Sequence, residues 1–213
     1  MGSRVRPRLL IGCVGDRFLP GVKESIMDAT ESFKRVGEAE MVIQPPITVM
    51  PYFGLATMRN RICMKAAEER FTHVVLIDND VKLFEGTIPA LLESQKTIVV
   101  PVLHPRYQRK AKLFESVKGI TNICAPIQWA VLSCIMFQTK VFAKISPWPF
   151  VDTLTYCEEE TLFQQWRLQN AQGWLEPKAP ADLLRPPTNL WELQQDQLFH
   201  IQTPGDVRRD AIR

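Results

Sequence analysis

The chain has no uninterrupted apolar run near the ~18 residues that a bilayer-spanning helix needs, and its N-terminus carries no signal-peptide core. Neither a membrane span nor a secretory leader is expected. No C-x-x-C pair occurs among the five cysteines (Cys13, Cys63, Cys124, Cys134, Cys157), which are scattered and odd in number. They read as reduced core thiols, and the setting as cytoplasmic. His73, His104 and His200 lack zinc-ligand spacing. The chain has no G-x-x-x-x-G-K-[ST], no G-x-G-x-x-G after its first strand and no G-x-S-x-G. These absences remove the P-loop nucleotidases, the dinucleotide fold and the serine hydrolases. A net charge of +3 permits an anionic partner without requiring one. There is no internal repeat.

What is present is alternation. Leu9 to Val14 reads as a buried strand stopped by Gly15-Asp16. Val22, Ile26, Ala29, Phe33 and Val36 then mark one face of a helix that Gly37 ends. A strand over Ala39–Gln44, a helix over Leu55–Arg70 and a strand over Thr72–Ile77 follow. Gly86–Gln95 reads as a short helix, Thr97–Leu103 as a strand, Arg106–Asn122 as a basic loop and Ile127–Phe137 as one strand. Thr139–Ile145 reads as a short helix and Glu158–Asn170 as a helix closed by Gly173. Strands apolar on both faces, alternating with helices, predict a single α/β domain over residues 1–213. Its sheet is expected to be mostly parallel, with helices on both faces. Residues 1–7 form an arm, and 177–213 a proline-rich extension.

The strongest chemical signal is Asp78-Asn79-Asp80, directly after the apolar strand. Two carboxylates at a strand's carboxyl end repel each other and gain nothing from the core, unless a cation joins them to a ligand. Hard oxygens suit Mg²⁺ or Mn²⁺ bridging to phosphate. The plainer alternative is that both aspartates cap the following turn. In such sheets ligands gather beyond the carboxyl ends of the strands. Gly12–Asp16, Pro45–Gly54, Asp78–Asp80 and His104–Lys112 are all expected there, in one cleft. Arg59, on the helix before this strand, is placed either to grip a phosphate with its planar fork or simply on the surface. Glu158-Glu159-Glu160 opens a helix, where acids favour the positive end of the dipole. One of them would also suit proton abstraction from a hydroxyl.

Taken in order, these stretches resemble the GT-A glycosyltransferases, close to small family-2-like enzymes of bacteria and bacteriophages. The likeness is carried by Leu10–Val14, Ala56–Arg61, Val75–Val81, Val131–Phe137 with Val141-Phe142, and Glu158–Phe163 with Gly173-Trp174. The resemblance implies transfer of a sugar from a nucleoside diphosphate sugar, UDP-linked, with Mn²⁺ or Mg²⁺. It places Gly12, Cys13, Gly15, Arg59, Asn60, Asp78 and Asn79 around the nucleotide. Asp80 becomes the main metal ligand, and Asp78 a contact to ribose or a metal-bound water. Glu160, or Glu159 beside it, becomes the base. Many relatives carry a metal-binding His after the aromatic-glycine stretch; here Asp182 or the distant His200 would substitute, or the third ligand is missing.

The acceptor implied is a hydroxyl. DNA carrying a hydroxymethylated pyrimidine is the boldest choice, with the host cytoplasm as the setting if the chain is phage-encoded. Arg106, Arg109, Lys110 and Lys112 would grip backbone phosphates, and Tyr107 would stack on an exposed base. Arg208, Arg209 and Arg213 add a basic tail. The rivals are a polysaccharide or lipid-linked acceptor, a nucleotidyltransferase, and a non-catalytic sugar-binding scaffold. Nothing in the sequence fixes the oligomeric state.

Overall fold

Apolar segments become sheet and polar-faced segments become helix along most of the chain. The structure, a computed structural model, describes residues 6–15, 17–35, 37–44, 55–106, 124–143, 150, 166, 169–184 and 199–201. In chain order these hold β1 (Arg8–Val14), α1 (Val22–Lys34), β2 (Glu38–Gln44), α2 (Leu55–Glu68) and β3 (His73–Asp78). Then come β4 (Val81–Leu83), α3 (Thr87–Glu93), β5 (Ile98–Pro105), β6 (Ala125–Ala130) and β7 (Cys134–Gln138). A 3-10 turn (Thr139–Ala143), β8 (Gly173–Leu183) and β9 (Phe199–Ile201) complete the series. No described helix is long and apolar enough to cross a membrane.

Among the described residues nine strands form one sheet, ordered β2-β1-β3-β7-β5-β8-β6-β9, with β4 attached to β8. The expected α/β class holds. Strands β1, β2, β3, β5, β8 and β9 run one way, and β4, β6 and β7 run against them. Every residue from Leu9 to Val14 is buried, so both faces of β1 are covered. Gly12 is required there because a Cβ would meet Ile62 Cγ2 of α2 at 2.3 Å. On α1 the buried face is Val22, Ile26, Ala29, Thr30 and Phe33, close to the face expected.

Three expectations need correction. Ile127–Phe137 is two strands, β6 and β7, because Val131–Ser133 turns the chain between them. Asp80 is followed by a short strand, β4, that the sequence reading did not separate. Gly173, expected to close a helix over residues that lie mostly outside those described, opens β8, the longest strand described, although that strand holds Pro177 and Pro180. Prolines weaken a central strand because they donate no ladder bond. Here they fall where the ladder is already broken. The β5 register jumps from Pro101↔Glu176 to Val102↔Pro180. On its other side β8 pairs with β6 over 173–175 and with β4 over 181–183, so among the described residues no strand pairs with 176–180 there.

His73, at the start of β3, stands beside Thr72 Oγ1, 2.9 Å from its Nδ1. Burial first, and Lys140 second, pull its imidazole down to about 4. The folded chain therefore resists protonation that the unfolded chain accepts, and stability is lost as pH falls from about 6.5 toward 4. Melting followed by circular dichroism across that window is expected to show this drop, and His73→Gln to flatten it.

Candidate functional site

The carboxyl end of β3 carries Asp78, beside Val14 of β1 in the register. Asn79 and Asp80 turn the chain into β4. Asn79 frames the neighbouring loop: its Nδ2 donates to the Arg17 carbonyl at 2.8 Å, and its own carbonyl accepts from Leu19 N–H at 3.0 Å. Gly15 lies against it with φ 108°, and a Cβ there would sit 2.8 Å from Asn79 Nδ2. Both residues, expected around a nucleotide, thus have a packing reason to be what they are. Gly12 has one also, in Ile62. Cys13 is buried, and desolvation, with the Asp78 charge adding to it, pushes its thiol up to about 12. That leaves only its backbone for contact with a ligand. Cys134 is pushed up for the same reasons, and Cys63 by burial opposed by Arg59.

The two aspartates do not stand without a countercharge. Arg59 of α2 is 2% exposed, and its Nη2 lies 3.2 Å from both carboxylate oxygens of Asp78. The same nitrogen donates to the Leu132 carbonyl at 3.4 Å. The premise that the pair gains nothing from the core therefore fails for Asp78, because the protein supplies a cation from within. It fails for Arg59 too, which is neither a surface residue nor free to swing toward a phosphate. Asn60, expected at the nucleotide, is buried with both ends of its amide on Phe150. Nδ2 donates to the Phe150 carbonyl at 2.8 Å, and Phe150 N–H donates to Oδ1 at 3.0 Å. Sequence spacing does not mark Phe150 as a partner of α2, since a contact across ninety positions leaves no local signal.

The second group lies at the ends of β5 and β8. Asp182 is the register partner of His104 on one side and Lys82 on the other. Its carboxylate pairs with Arg106 Nε at 2.8 Å. Burial holds the His104 imidazole below its ordinary range, with Asp182 opposing and Arg106 reinforcing the shift. Backbone bonds join this corner to the first: Arg106 N–H donates to Leu183 O at 2.9 Å, and Leu184 N–H to Asp80 O at 3.0 Å. The convergence of Asp78–Asp80 with the β5 end is thus present. Pro45–Gly54 lies outside the described residues, as do Tyr107, Arg109, Lys110, Lys112, Glu159, Glu160 and the His200 side chain. Among the described residues no three His, Cys, Asp or Glu side chains gather as metal ligands. A groove of about 620 Å³ lined by α1 and β4 residues, and one of about 420 Å³ lined by α2 and the 3-10 turn, include neither Asp78 nor Asp80.

No protein-family model matches the sequence, and no curated sequence matches it. Solved structures do match the fold. GalNAc-T7 with UDP, GalNAc and Mn²⁺ aligns with 88% of this chain and 45% of its own, at TM-score 0.55 and 7% identity. The chain therefore spans under half the length of that protein. A Drosophila β1,4-galactosyltransferase 7 in complex with manganese, UDP-Gal and xylobiose aligns with 96% of this chain and 74% of its own, at TM-score 0.52 and 14% identity. Glucosyl-3-phosphoglycerate synthase from Mycobacterium tuberculosis, with Mn²⁺, UDP and phosphoglyceric acid, gives 88%, 74%, 0.51 and 13%. At such identities the likeness is one of fold, and the fold is the GT-A, Rossmann-like one.

Asp78 is expected to contribute to stability through Arg59. Removing its charge strands the buried Arg59 guanidinium, which costs about 2–3 kcal/mol once the 21% exposure of the Asp78 side chain discounts the penalty for a fully buried pair. Urea unfolding of Asp78→Asn should show that loss against the parent.

Proposed function

We propose that the chain is a metal-dependent glycosyltransferase that takes a sugar from a UDP-linked donor and moves it to a hydroxyl acceptor. The observation that carries this reading is Asp78-Asn79-Asp80 at the carboxyl end of β3. Ligands bind at that edge of an α/β sheet, and the fold is shared with enzymes held with UDP and Mn²⁺. The donor set suits Mn²⁺ or Mg²⁺, because such ions need only one or two protein carboxylates when phosphate oxygens complete the shell. Asp80 is the proposed anchor. Asp78, already engaged by Arg59, is the poorer ligand, because a second cation on one carboxylate would repel the first. When bound, the ion would neutralise charge on the leaving diphosphate.

The remaining roles belong to side chains. Asp78 accepts hydrogen bonds from the donor ribose, and Gly15 keeps the end of β1 low beneath the nucleotide. Glu160, with Glu159 as its alternative, takes the acceptor proton. His200 is the proposed additional metal ligand, since Asp182 already holds Arg106. A thermal-shift titration tests the reading. UDP with MnCl₂ should raise the melting temperature by mass action, EDTA should cancel the rise, and Asp80→Ala should lose both the rise and sugar transfer while staying folded. Full transfer by Asp80→Ala in EDTA would overturn it.

For the acceptor, hydroxymethylpyrimidine DNA of the phage kind rests on the basic stretch from Arg106 to Lys112 around Tyr107. Arg106 contributes less than its charge suggests, because Asp182 already neutralises part of it. Binding to such DNA should weaken by at least ~10-fold between 50 and 200 mM salt if phosphate contacts hold it. An affinity that does not move with salt turns the reading to a sugar or lipid-linked hydroxyl.

A further inference from the structure

We infer that Asn60 and Phe150 are positioning residues for ribose recognition, acting through Arg59 on Asp78. The inference rests on the donor reading above and adds to it two residues that touch no substrate.

Asn60 is 3% exposed and uses its whole amide to fasten the Phe150 backbone to α2. The Phe150 ring is held in turn by edge-on packing against Phe137 and Trp166, with centroids 6.0 and 6.2 Å away. It presents itself to Arg59 Cζ at 5.8 Å from the ring centroid, within cation–π range. The guanidinium is thus enclosed by an aromatic ring, the Leu132 carbonyl and the Asp78 carboxylate. One nitrogen spans both Asp78 oxygens, which fixes the plane of a carboxylate that is still 21% exposed at the rim.

A carboxylate offers about four lone-pair sites, and Arg59 Nη2 leaves the outward ones open. Partly neutralised, that carboxylate suits sugar hydroxyls better than it suits a divalent cation. Orientation of such a group by its outer partners commonly contributes ~10–100-fold to binding or activity. Asn60 and Phe150 supply that orientation from behind.

Calorimetric titration of the intact chain at saturating MnCl₂ tests this, with UDP as one probe and inorganic pyrophosphate, which lacks ribose, as the other. Asn60→Ala and Phe150→Leu should each weaken UDP about 10-fold and leave pyrophosphate within about 2-fold. Adding Asn60→Ala to Asp78→Asn should cost nothing further, because the first residue acts only through the second. Phe150→Leu preserves the backbone groups that Asn60 binds, so it decides the matter where Asn60→Ala does not fold. UDP affinity unchanged, equal losses for both probes, or losses that multiply in the double variant would each overturn the inference. If the parent chain binds neither probe, the donor reading itself fails. If the parent binds UDP and the variants bind it as well, only the positioning role fails.

Discussion

One buried cation sets the chemistry of this molecule. A parallel sheet that ends in a carboxylate must either expose that carboxylate fully or neutralise it. Arg59 neutralises Asp78 from inside the helix layer. Such a pair gives little net stability, since desolvating the arginine offsets most of the attraction. What it secures is geometry. A short polar side chain at the end of a strand would otherwise sample several rotamers, and here two equal contacts at 3.2 Å select one. Asn79 does comparable work on the backbone, holding the β1–α1 connection at a fixed distance from the same turn.

Sequence showed most clearly the elements whose stability is local or simply apolar. β1 and β3 are runs of large aliphatic residues that can be little else, and α1 declares its face through Ile26, Ala29 and Phe33. β8 was hidden because its prolines argue against a central strand; only the register jump at Pro101 and the exchange of partners make them tolerable. Neither device leaves a mark in a single sequence. The break between β6 and β7 was lost for the opposite reason, since Val131 and Leu132 continue the apolar run straight through the turn.

The acids of the candidate site stand out in the sequence, and the side chains that surround them do not. Gly12 and Gly15 read as glycines beside a ligand, yet a glycine that clears a ligand and one that admits a neighbouring side chain look alike in sequence. Ile62 and Asn79 are those side chains. Arg59 and Asn60, adjacent on α2, were assigned to one nucleotide contact. Arg59 reaches Asp78 at the end of β3, whereas Asn60 holds the backbone of Phe150, whose ring faces Arg59. Their separation follows from helical geometry, which turns neighbours ~100° apart, but the identity of each partner depends on tertiary packing.

The exchange of partners along β8 has a consequence for synthesis on the ribosome. Strands β1, β2 and β3 can pair as soon as they emerge, since they are neighbours in both sequence and sheet. The far edge of β3 must wait for β7, and the ladder of β5 is completed only when residues 173–183 arrive. Until then β4 also has no strand to join. A nascent chain with about 170 residues outside the exit tunnel would thus carry an open β5 edge and an unanchored β4, a state prone to pairing with its neighbours. One late strand closes both at once, so the Asp78–Asp80 turn reaches its final setting only after residues 173–183 have emerged.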